Sequence, residues 1–228
     1  MLPKNKDKIR RILNVTKIQR IASSCIFFLT FIFFLIQWGI TPLSSGTLVH
    51  AAHSAPVPVP KPIKMREWHY IVIHHSGAFS GNEATIEADH LRRGMENGMA
   101  YHFLIGNGST GLGDGEVREG HRWKYQLPGG HCHQEFLNTY GIGICLVGNF
   151  NRKGPTPNQI KSLAALLFRL QAQFYISDEN IHGHGQFYGE DSDCPGKLFP
   201  WANLWASLNK IYEFQLMSSR NEHLIQGK

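Results

Sequence analysis

The stretch of sequence that decides the fold is an apolar run that ends in two histidines, Ile71-Val72-Ile73-His74-His75-Ser76. Its β-branched residues favour a strand, and the continuous apolar run indicates that both faces of that strand are buried. Consecutive side chains of a strand point to opposite faces, so only one histidine can reach a site on a given side. The sequence predicts a buried strand over Trp68–His75 with one functional histidine at its end.

A second segment, 110 residues further along the chain, carries complementary chemistry. His184 and Cys194 stand on one loop with nine residues between them, and Pro195 and Gly196 follow. One imidazole from the strand, a second from this loop and the thiol supply three ligands to Zn²⁺ and leave a fourth position open for water. An open three-ligand site is typical of catalytic zinc.

Four segments, in this order, resemble the zinc-dependent N-acetylmuramoyl-L-alanine amidases of the peptidoglycan-recognition and phage-lysozyme type. They are the strand that ends at His74, residues 99–105 around Tyr101, residues 140–150, and the loop Cys194-Pro195-Gly196 with Phe199-Pro200-Trp201. The resemblance implies an enzyme that hydrolyses the amide between N-acetylmuramic acid and L-alanine in peptidoglycan or a muropeptide. It covers the chain from about Trp68 to Leu208.

The resemblance also implies a role for individual residues. It implies that His74, His184 and Cys194 hold Zn²⁺, the expected cofactor. Tyr101 and Ser192 are then catalytic residues that stabilise the oxyanion. Ser192 departs from the family, which has Lys or Thr near the oxyanion at that position, and a hydroxyl brings no charge.

Other histidines and one cysteine complete this comparison. His75 is expected to pack or hydrogen-bond beneath His74, and His182 to be structural. Cys145 stands where anhydromuramyl amidases have a glutamate, so no carboxylate base is assigned.

Substrate contacts are implied for three residues, Arg122, Trp123 and His131. Arg122 could pair with a carboxylate of the stem peptide, and Trp123 could face a sugar ring or the stem. The alternative, a surface arginine and a packed tryptophan, stays open.

The basic residues are concentrated at the N-terminus. The 228-residue chain has a formal net charge of +6, and residues 1–20 hold all of this excess. The remainder is balanced, which argues against nucleic-acid binding by the folded part. We therefore interpret residues 1–20 as a basic cytoplasmic tail.

Residues 21–40 are uncharged and largely apolar, and about 20 such residues suffice to cross a bilayer as a helix. They predict a transmembrane anchor, with a signal peptide cleaved near Ala51–Ala55 as the alternative. Either places the following domain outside the cytoplasm, in the periplasm or the extracellular space. A proline-rich linker over residues 41–65, an amidase domain over residues 66–212 and a tail over residues 213–228 complete the organisation, and we expect a monomer.

Strands and helices alternate within the domain. The predicted elements are strands over Tyr101–Gly106, Gly115–Gly120 and Ile142–Val147, and helices over Thr85–Arg93 with Ile86 and Leu91 inward, from Pro157 with Thr156 and Gln159 as a capping box, and from Pro200 with Leu204, Leu208 and Ile211. This alternation favours an α/β fold, a single domain with a central mixed β-sheet flanked by helices.

Two questions stay open at this level. Cys132 and Cys145 can form a disulfide or remain free thiols, and free thiols are favoured because Cys145 lies in an apolar run. Besides the amidase, a non-catalytic peptidoglycan-binding module is possible, but such members typically lose the thiol ligand. An amidase specific for anhydromuropeptides is favoured by the nine-residue loop spacing and opposed by the export signal and by Cys145.

Overall fold

The structure is a computed structural model that describes residues 64–95 and 97–226. The basic tail, the predicted membrane segment and nearly all of the proline-rich linker lie outside these residues. Within the described part, no helix combines the length and the apolar character that crossing a bilayer requires.

The described chain contains five strands, five α-helices and two short 3₁₀ turns. In chain order they are β1 (Tyr70–His75), α1 (Glu83–Arg92), β2 (Phe103–Ile105), β3 (Val117–Glu119), α2 (His121–Lys124), α3 (Glu135–Tyr140), β4 (Gly141–Leu146), α4 (Pro157–Phe174), a turn at Asp178–Asn180, β5 (Ile181–Gly183), a turn at His184–Gln186, and α5 (Trp201–Gln226). The prediction of an α/β domain with a mixed sheet is confirmed.

The strands form one sheet in the order β3-β2-β4-β1-β5. The pairs β2–β4, β4–β1 and β1–β5 are parallel, and β2–β3 is antiparallel. Every residue of β4 is buried, as expected for a parallel strand that is covered on both faces. β1 therefore lies inside the sheet, with neighbours on both sides.

The two faces of the sheet have separate cores. The larger core joins alternate residues of β1, β2 and β4 with the apolar sides of α4 and α5. The smaller core joins Ile86 of α1 with Met99, Leu104, Leu112, Cys145 and Val147, and Tyr101 packs against it. His74 lies in register with Cys145, and Cys145 with Leu104, so His74 shares the face of the smaller core.

The predicted start of α4 is confirmed in detail. Thr156 is the N-cap, Pro157 is the first helical residue, and Thr156 and Gln159 exchange both hydrogen bonds of a capping box. The apolar residues Ile160, Leu163, Leu167 and Leu170 are buried.

Other element predictions differ from the structure. Leu91, predicted to point inward, is 51% exposed. The buried residues of α1 are Ile86 and His90, which are four positions apart and share a face, whereas Leu91 is rotated by about 140° from Ile86. Strand β2 begins at Phe103, after Tyr101, and α5 continues through residues 213–226, the predicted tail.

Candidate metal centre

A cavity of about 380 Å³ lies at the carboxyl end of β1. Its lining combines that strand end with α1 and its C-terminal loop, the residues before β2, and two long loops. The lining residues are His74, His75, Ser76, Gly77, His90, Arg93, Met95, Ala100, Tyr101, Gly130, His131, Cys132, His184 and Cys194.

Three of these residues form a group that could hold a metal ion. One donor atom each from His74, His184 and Cys194 lies within 4.8 Å of the others. The Nδ1 atom of His74 is 3.7 Å from the Cys194 Sγ atom, and the ring centroids of His74 and His184 are 4.7 Å apart. The backbone N–H of His75 donates to Cys194 Sγ at 3.3 Å, as suits a sulfur ligand that carries negative charge. The ligand assignment itself stays a prediction.

His74 and Cys194 differ in their protonation. Burial lowers the pKa of His74 well below its usual value, and the neighbouring His131, His184 and His75 lower it further, so this imidazole is a neutral ligand. Burial raises the pKa of the Cys194 thiol to about 12. The thiol is therefore protonated in the absence of a cation, and a bound metal must displace its proton.

Both histidines of β1 line the cavity, but their rings make different contacts. His74 is buried at the cavity. The ring of His75 packs on Phe150, and its Nδ1 accepts a hydrogen bond from the Phe150 backbone N–H at 3.0 Å. His182 is engaged with the backbone of Glu179 and is not among the residues that line the cavity.

Tyr101 lies at the cavity beside the metal-ligand candidates. Its ring centroid is 5.1 Å from that of His74, and its side chain packs against the smaller core, which includes Cys145. Burial raises the Tyr101 pKa well above its usual value, and the Cys145 and Cys194 thiols raise it further. The phenol therefore keeps its proton and is available as a hydrogen-bond donor.

Ser192 is not among the residues that line the cavity. Its hydroxyl accepts a hydrogen bond from the backbone N–H of Cys194 at 3.1 Å. This contact gives Ser192 a part in shaping the loop that carries the thiol.

Arg122 and Trp123, which were predicted to contact substrate, are both buried. Arg122 donates from Nε to the Met99 carbonyl at 3.0 Å and from a terminal nitrogen to the Pro128 carbonyl. Trp123 packs against Trp68, Phe103 and Phe174. The sequence could not show that both face inward, and the packed alternative for Trp123 is the one observed.

His131 lines the cavity, and its ring contacts His74. Its Nδ1 is 3.2 Å from His74 Nε2 and 3.1 Å from the Cys132 thiol, and its Nε2 is 3.3 Å from the Gly141 carbonyl oxygen. Cys132, Cys145 and Cys194 are free thiols in the structure.

Sequence reasoning missed two residues. Glu190 accepts a hydrogen bond from His184, with Oε2 at 2.7 Å from Nε2. The sequence did contain a signal for Glu190, namely a carboxylate residue between the two predicted loop ligands, His184 and Cys194. Burial raises the pKa of Glu190, but hydrogen bonds from Gln134, His133 and His184 outweigh it, so the pKa lies below its usual value. Arg93 is the second, an exposed guanidinium that lines the cavity and lies 3.4 Å from Asp89.

Known proteins resemble this chain over the same region. A family model described as N-acetylmuramoyl-L-alanine amidase matches residues 64–197. A peptidoglycan-recognition protein of Drosophila melanogaster is 30% identical over 184 residues, which cover 74% of this chain and 94% of that protein. N-acetylmuramoyl-L-alanine amidase of Sus scrofa is 26% identical over 66% of this chain and 25% of its own length.

A solved structure shares the fold. N-acetylmuramoyl-L-alanine amidase LysC from Clostridium intestinale URNW superposes with a TM-score of 0.54 and 30% sequence identity, over 63% of this chain and 87% of that one. The region that the family model matches includes His74, Tyr101, His184 and Cys194.

Proposed function

The chain belongs to the N-acetylmuramoyl-L-alanine amidase family, and from this premise we propose that it is a zinc-dependent hydrolase of peptidoglycan. The bond cleaved is the amide between the lactyl group of N-acetylmuramic acid and L-alanine. The observation that carries the proposal is the convergence of His74, His184 and Cys194 within 4.8 Å at an open cavity.

The donor set supports a catalytic rather than a structural metal. Two imidazoles and one thiolate leave a fourth coordination position for water or substrate, and the cavity gives access to it. Zn²⁺ held there would lower the pKa of a water molecule and polarise the scissile carbonyl.

The protein's own groups then have distinct tasks. Tyr101 donates a hydrogen bond to the oxygen of the scissile carbonyl as that oxygen gains charge. The smaller core, which includes Cys145, packs against Tyr101 and holds its ring beside His74. Ser192 supports the reaction through the Cys194 loop, where its hydroxyl accepts from the Cys194 N–H.

Arg93 is the better candidate for a contact with the stem peptide. Among the described residues that line the cavity it is the only arginine or lysine, and its side chain is 57% exposed. A guanidinium in this position can pair with a peptide carboxylate. Arg122 is the weaker candidate, because it is buried and donates to the carbonyls of Met99 and Pro128.

The proposal also places the domain outside the cytoplasm. The support is the basic segment followed by the uncharged apolar segment of residues 21–40, an arrangement that directs export with the N-terminus inside. Whether the segment stays as an anchor or is cleaved, the domain meets peptidoglycan on the same side.

The test is incubation of the full-length protein with purified peptidoglycan, with and without a metal chelator. We expect new L-alanine amino termini that disappear with the chelator and return when Zn²⁺ is added back. Hydrolysis that persists at full rate in the chelated, metal-free protein would overturn the zinc dependence.

A second candidate is a peptidoglycan-binding module without activity. It is favoured by the similarity to a protein named for peptidoglycan recognition, and opposed by the thiol of Cys194. Binding to insoluble peptidoglycan without new amino termini would establish it. If free anhydromuropeptides are cleaved and intact peptidoglycan is not, the substrate is the smaller molecule, as the nine-residue loop spacing suggests.

A further inference from the structure

Glu190 is a buried carboxylate whose oxygens are all engaged. Its side chain is 2% exposed. One oxygen accepts from the Gln134 backbone N–H at 2.8 Å, and the other from the His133 backbone N–H at 3.0 Å and faces His184 Nε2 at 2.7 Å. Burying a carboxylate is costly unless it is hydrogen-bonded, and the hydrogen bonds at this position stabilise the ionised form of Glu190.

The contact with Glu190 decides which nitrogen of His184 can hold a metal. An ionised carboxylate only accepts hydrogen bonds, so Nε2 of His184 must carry a hydrogen. In the neutral imidazole the lone pair then belongs to Nδ1. His184 is thereby restricted to one tautomer and to one metal-binding nitrogen.

The segment whose backbone donates to Glu190 also carries His131, which contacts His74. In residues 131–134, His133 and Gln134 donate to Glu190, and His131 lies with its Nδ1 at 3.2 Å from His74 Nε2. Asn138 fixes this segment, because its Oδ1 accepts from the backbone N–H groups of His131 and Cys132. One segment therefore contacts His74 directly, through His131, and His184 indirectly, through Glu190.

We propose that Glu190 is a positioning residue for the metal centre, which fixes the ring orientation and tautomer of His184 and strengthens it as a ligand. The proposal rests on the proposed function in taking His184 as a zinc ligand. Partners of this kind commonly change metal affinity by about 10–100-fold. Glu190 acts through His184 and does not contact the substrate.

The test compares zinc affinity in the full-length wild type and Glu190→Gln, by competition with a chromophoric chelator. Glutamine has one acceptor oxygen in place of two, and its amide group would face a backbone N–H or His184 Nε2. We expect affinity to fall by about 10–100-fold, and the absorption spectrum of the Co²⁺-substituted protein to change because the ligand geometry changes. Hydrolysis should recover in part at saturating Zn²⁺.

Asp178→Asn is the matched control. Asp178 also accepts a partly buried hydrogen bond, from Gln171 Nε2 at 2.7 Å, but it is not among the residues that line the cavity. This variant should keep wild-type zinc affinity and an unchanged Co²⁺ spectrum, even if its free energy of unfolding falls.

If Glu190→Gln does not fold, Glu190→Asp takes its place, since it keeps the charge and withdraws the carboxylate from His184 by one methylene; we expect a several-fold loss of affinity. Wild-type affinity with an unchanged Co²⁺ spectrum in the folded variant overturns the proposal. Failure of the proposed function has another signature, because the wild type would then bind zinc without releasing L-alanine termini.

Discussion

At the scale of single residues, the Cys194 thiol is the group that separates an enzyme from a binding module. We predict that Cys194→Ser loses zinc and hydrolysis together, because a serine hydroxyl is scarcely ionised at neutral pH and is a poor zinc ligand. Binding to insoluble peptidoglycan should largely persist. Metal content, release of L-alanine termini and co-sedimentation with peptidoglycan are the three measurements.

Cys132→Ser is the control for this experiment, since Cys132 is a second thiol at the same cavity. It should retain stoichiometric zinc and activity. The ligand assignment fails if Cys194→Ser keeps both, and the metal is structural if Cys194→Ser unfolds.

Tyr101 gives the second residue prediction. Tyr101→Phe should keep zinc and lower kcat by about 10²–10³, the usual effect of removing one oxyanion donor. Tyr101 is not one of the three proposed ligands, so metal affinity should not change. Tyr188→Phe, at a residue that is 99% exposed, is the control. Unchanged kinetics for Tyr101→Phe would make Tyr101 a packing residue.

His102 makes the fold sensitive to acid. Its Nδ1 accepts from the Gly143 N–H at 2.9 Å and its Nε2 donates to the Leu127 carbonyl at 3.1 Å. Burial lowers its pKa from 6.5 to about 3. Below pH 6.5, His102 is therefore protonated in the unfolded chain but stays neutral in the folded protein. The free energy of unfolding should therefore fall as the pH drops, by up to ~1.4 kcal/mol per pH unit from this residue.

His102→Gln keeps one donor and one acceptor but does not titrate. We expect its metal-free form to lose less stability than the wild type between about pH 6 and pH 4, measured by urea unfolding. Parallel pH profiles for the two proteins would show that His102 does not contribute.

The site residues that belong to the family's motifs could be predicted from the sequence, but those whose role depends on tertiary contacts could not. His74, His184, Cys194 and Tyr101 were placed by ordered motifs, and the structure brings them to one cavity. Glu190 was not found, because its role depends on two backbone N–H groups more than 50 residues away. The burial of Arg122 likewise follows from carbonyls that no local pattern reveals.

At the scale of elements, Gln159 connects α4 to the sheet. Beyond its capping-box contact, its Nε2 donates to the carbonyls of Ile105 at 3.1 Å and Val147 at 2.9 Å. Ile105 is the last residue of β2, and Val147 directly follows β4. Gln159→Ala would leave the Val147 carbonyl unpaired in the interior, whereas the Ile105 carbonyl would keep the hydrogen bond from the Val147 backbone N–H at 2.9 Å. We predict a loss of about 2 kcal/mol in the free energy of unfolding, since one buried unsatisfied group costs about 1–3 kcal/mol.

Thr156→Ala is the matched variant, because it removes the other half of the same capping box. Its expected loss is about 1 kcal/mol, the usual value for an N-cap. Urea unfolding of the metal-free proteins measures both. Equal losses would mean that the contacts of Gln159 with the strands add nothing.

Elements with strong local signals were predictable, and those without them were not. The capping box and the apolar run of β4 are complete in the sequence, and both are observed. Strands β2, β3 and β5 have three residues each, too few to show a period. Their limits follow from pairing with β4 and β1, which a sequence read alone does not contain.

At the scale of the whole molecule, we predict that residues 66–228 fold without residues 1–65. Every buried hydrophobic residue of the described chain lies between Trp68 and Tyr212. Arg66 itself is part of the fold, since its side chain donates to the Thr139 carbonyl at 3.1 Å and lies over the Trp68 ring. The fragment should unfold cooperatively in urea and keep zinc-dependent hydrolysis.

A fragment that begins at Tyr70 tests the position of this boundary. It lacks Trp68, which is 1% exposed and packs on His102 and Trp123, so it should lose about 3–5 kcal/mol or fail to fold. Equal stability of the two fragments would place the boundary later in the chain.

Strand β1 leaves the ribosome before every strand with which it pairs. Its partners in β4 follow 71 residues later and those in β5 follow 110 residues later. Closing such distant pairs is slow, so the sheet can be completed only when nearly the whole chain is available. A chain that stops before residue 181 contains His74 and Tyr101 but has no edge strand beside β1 and no loop to supply the other two donors. Premature termination anywhere before Cys194 should therefore yield an exposed, aggregation-prone sheet edge or an incomplete donor set, and never a weaker enzyme.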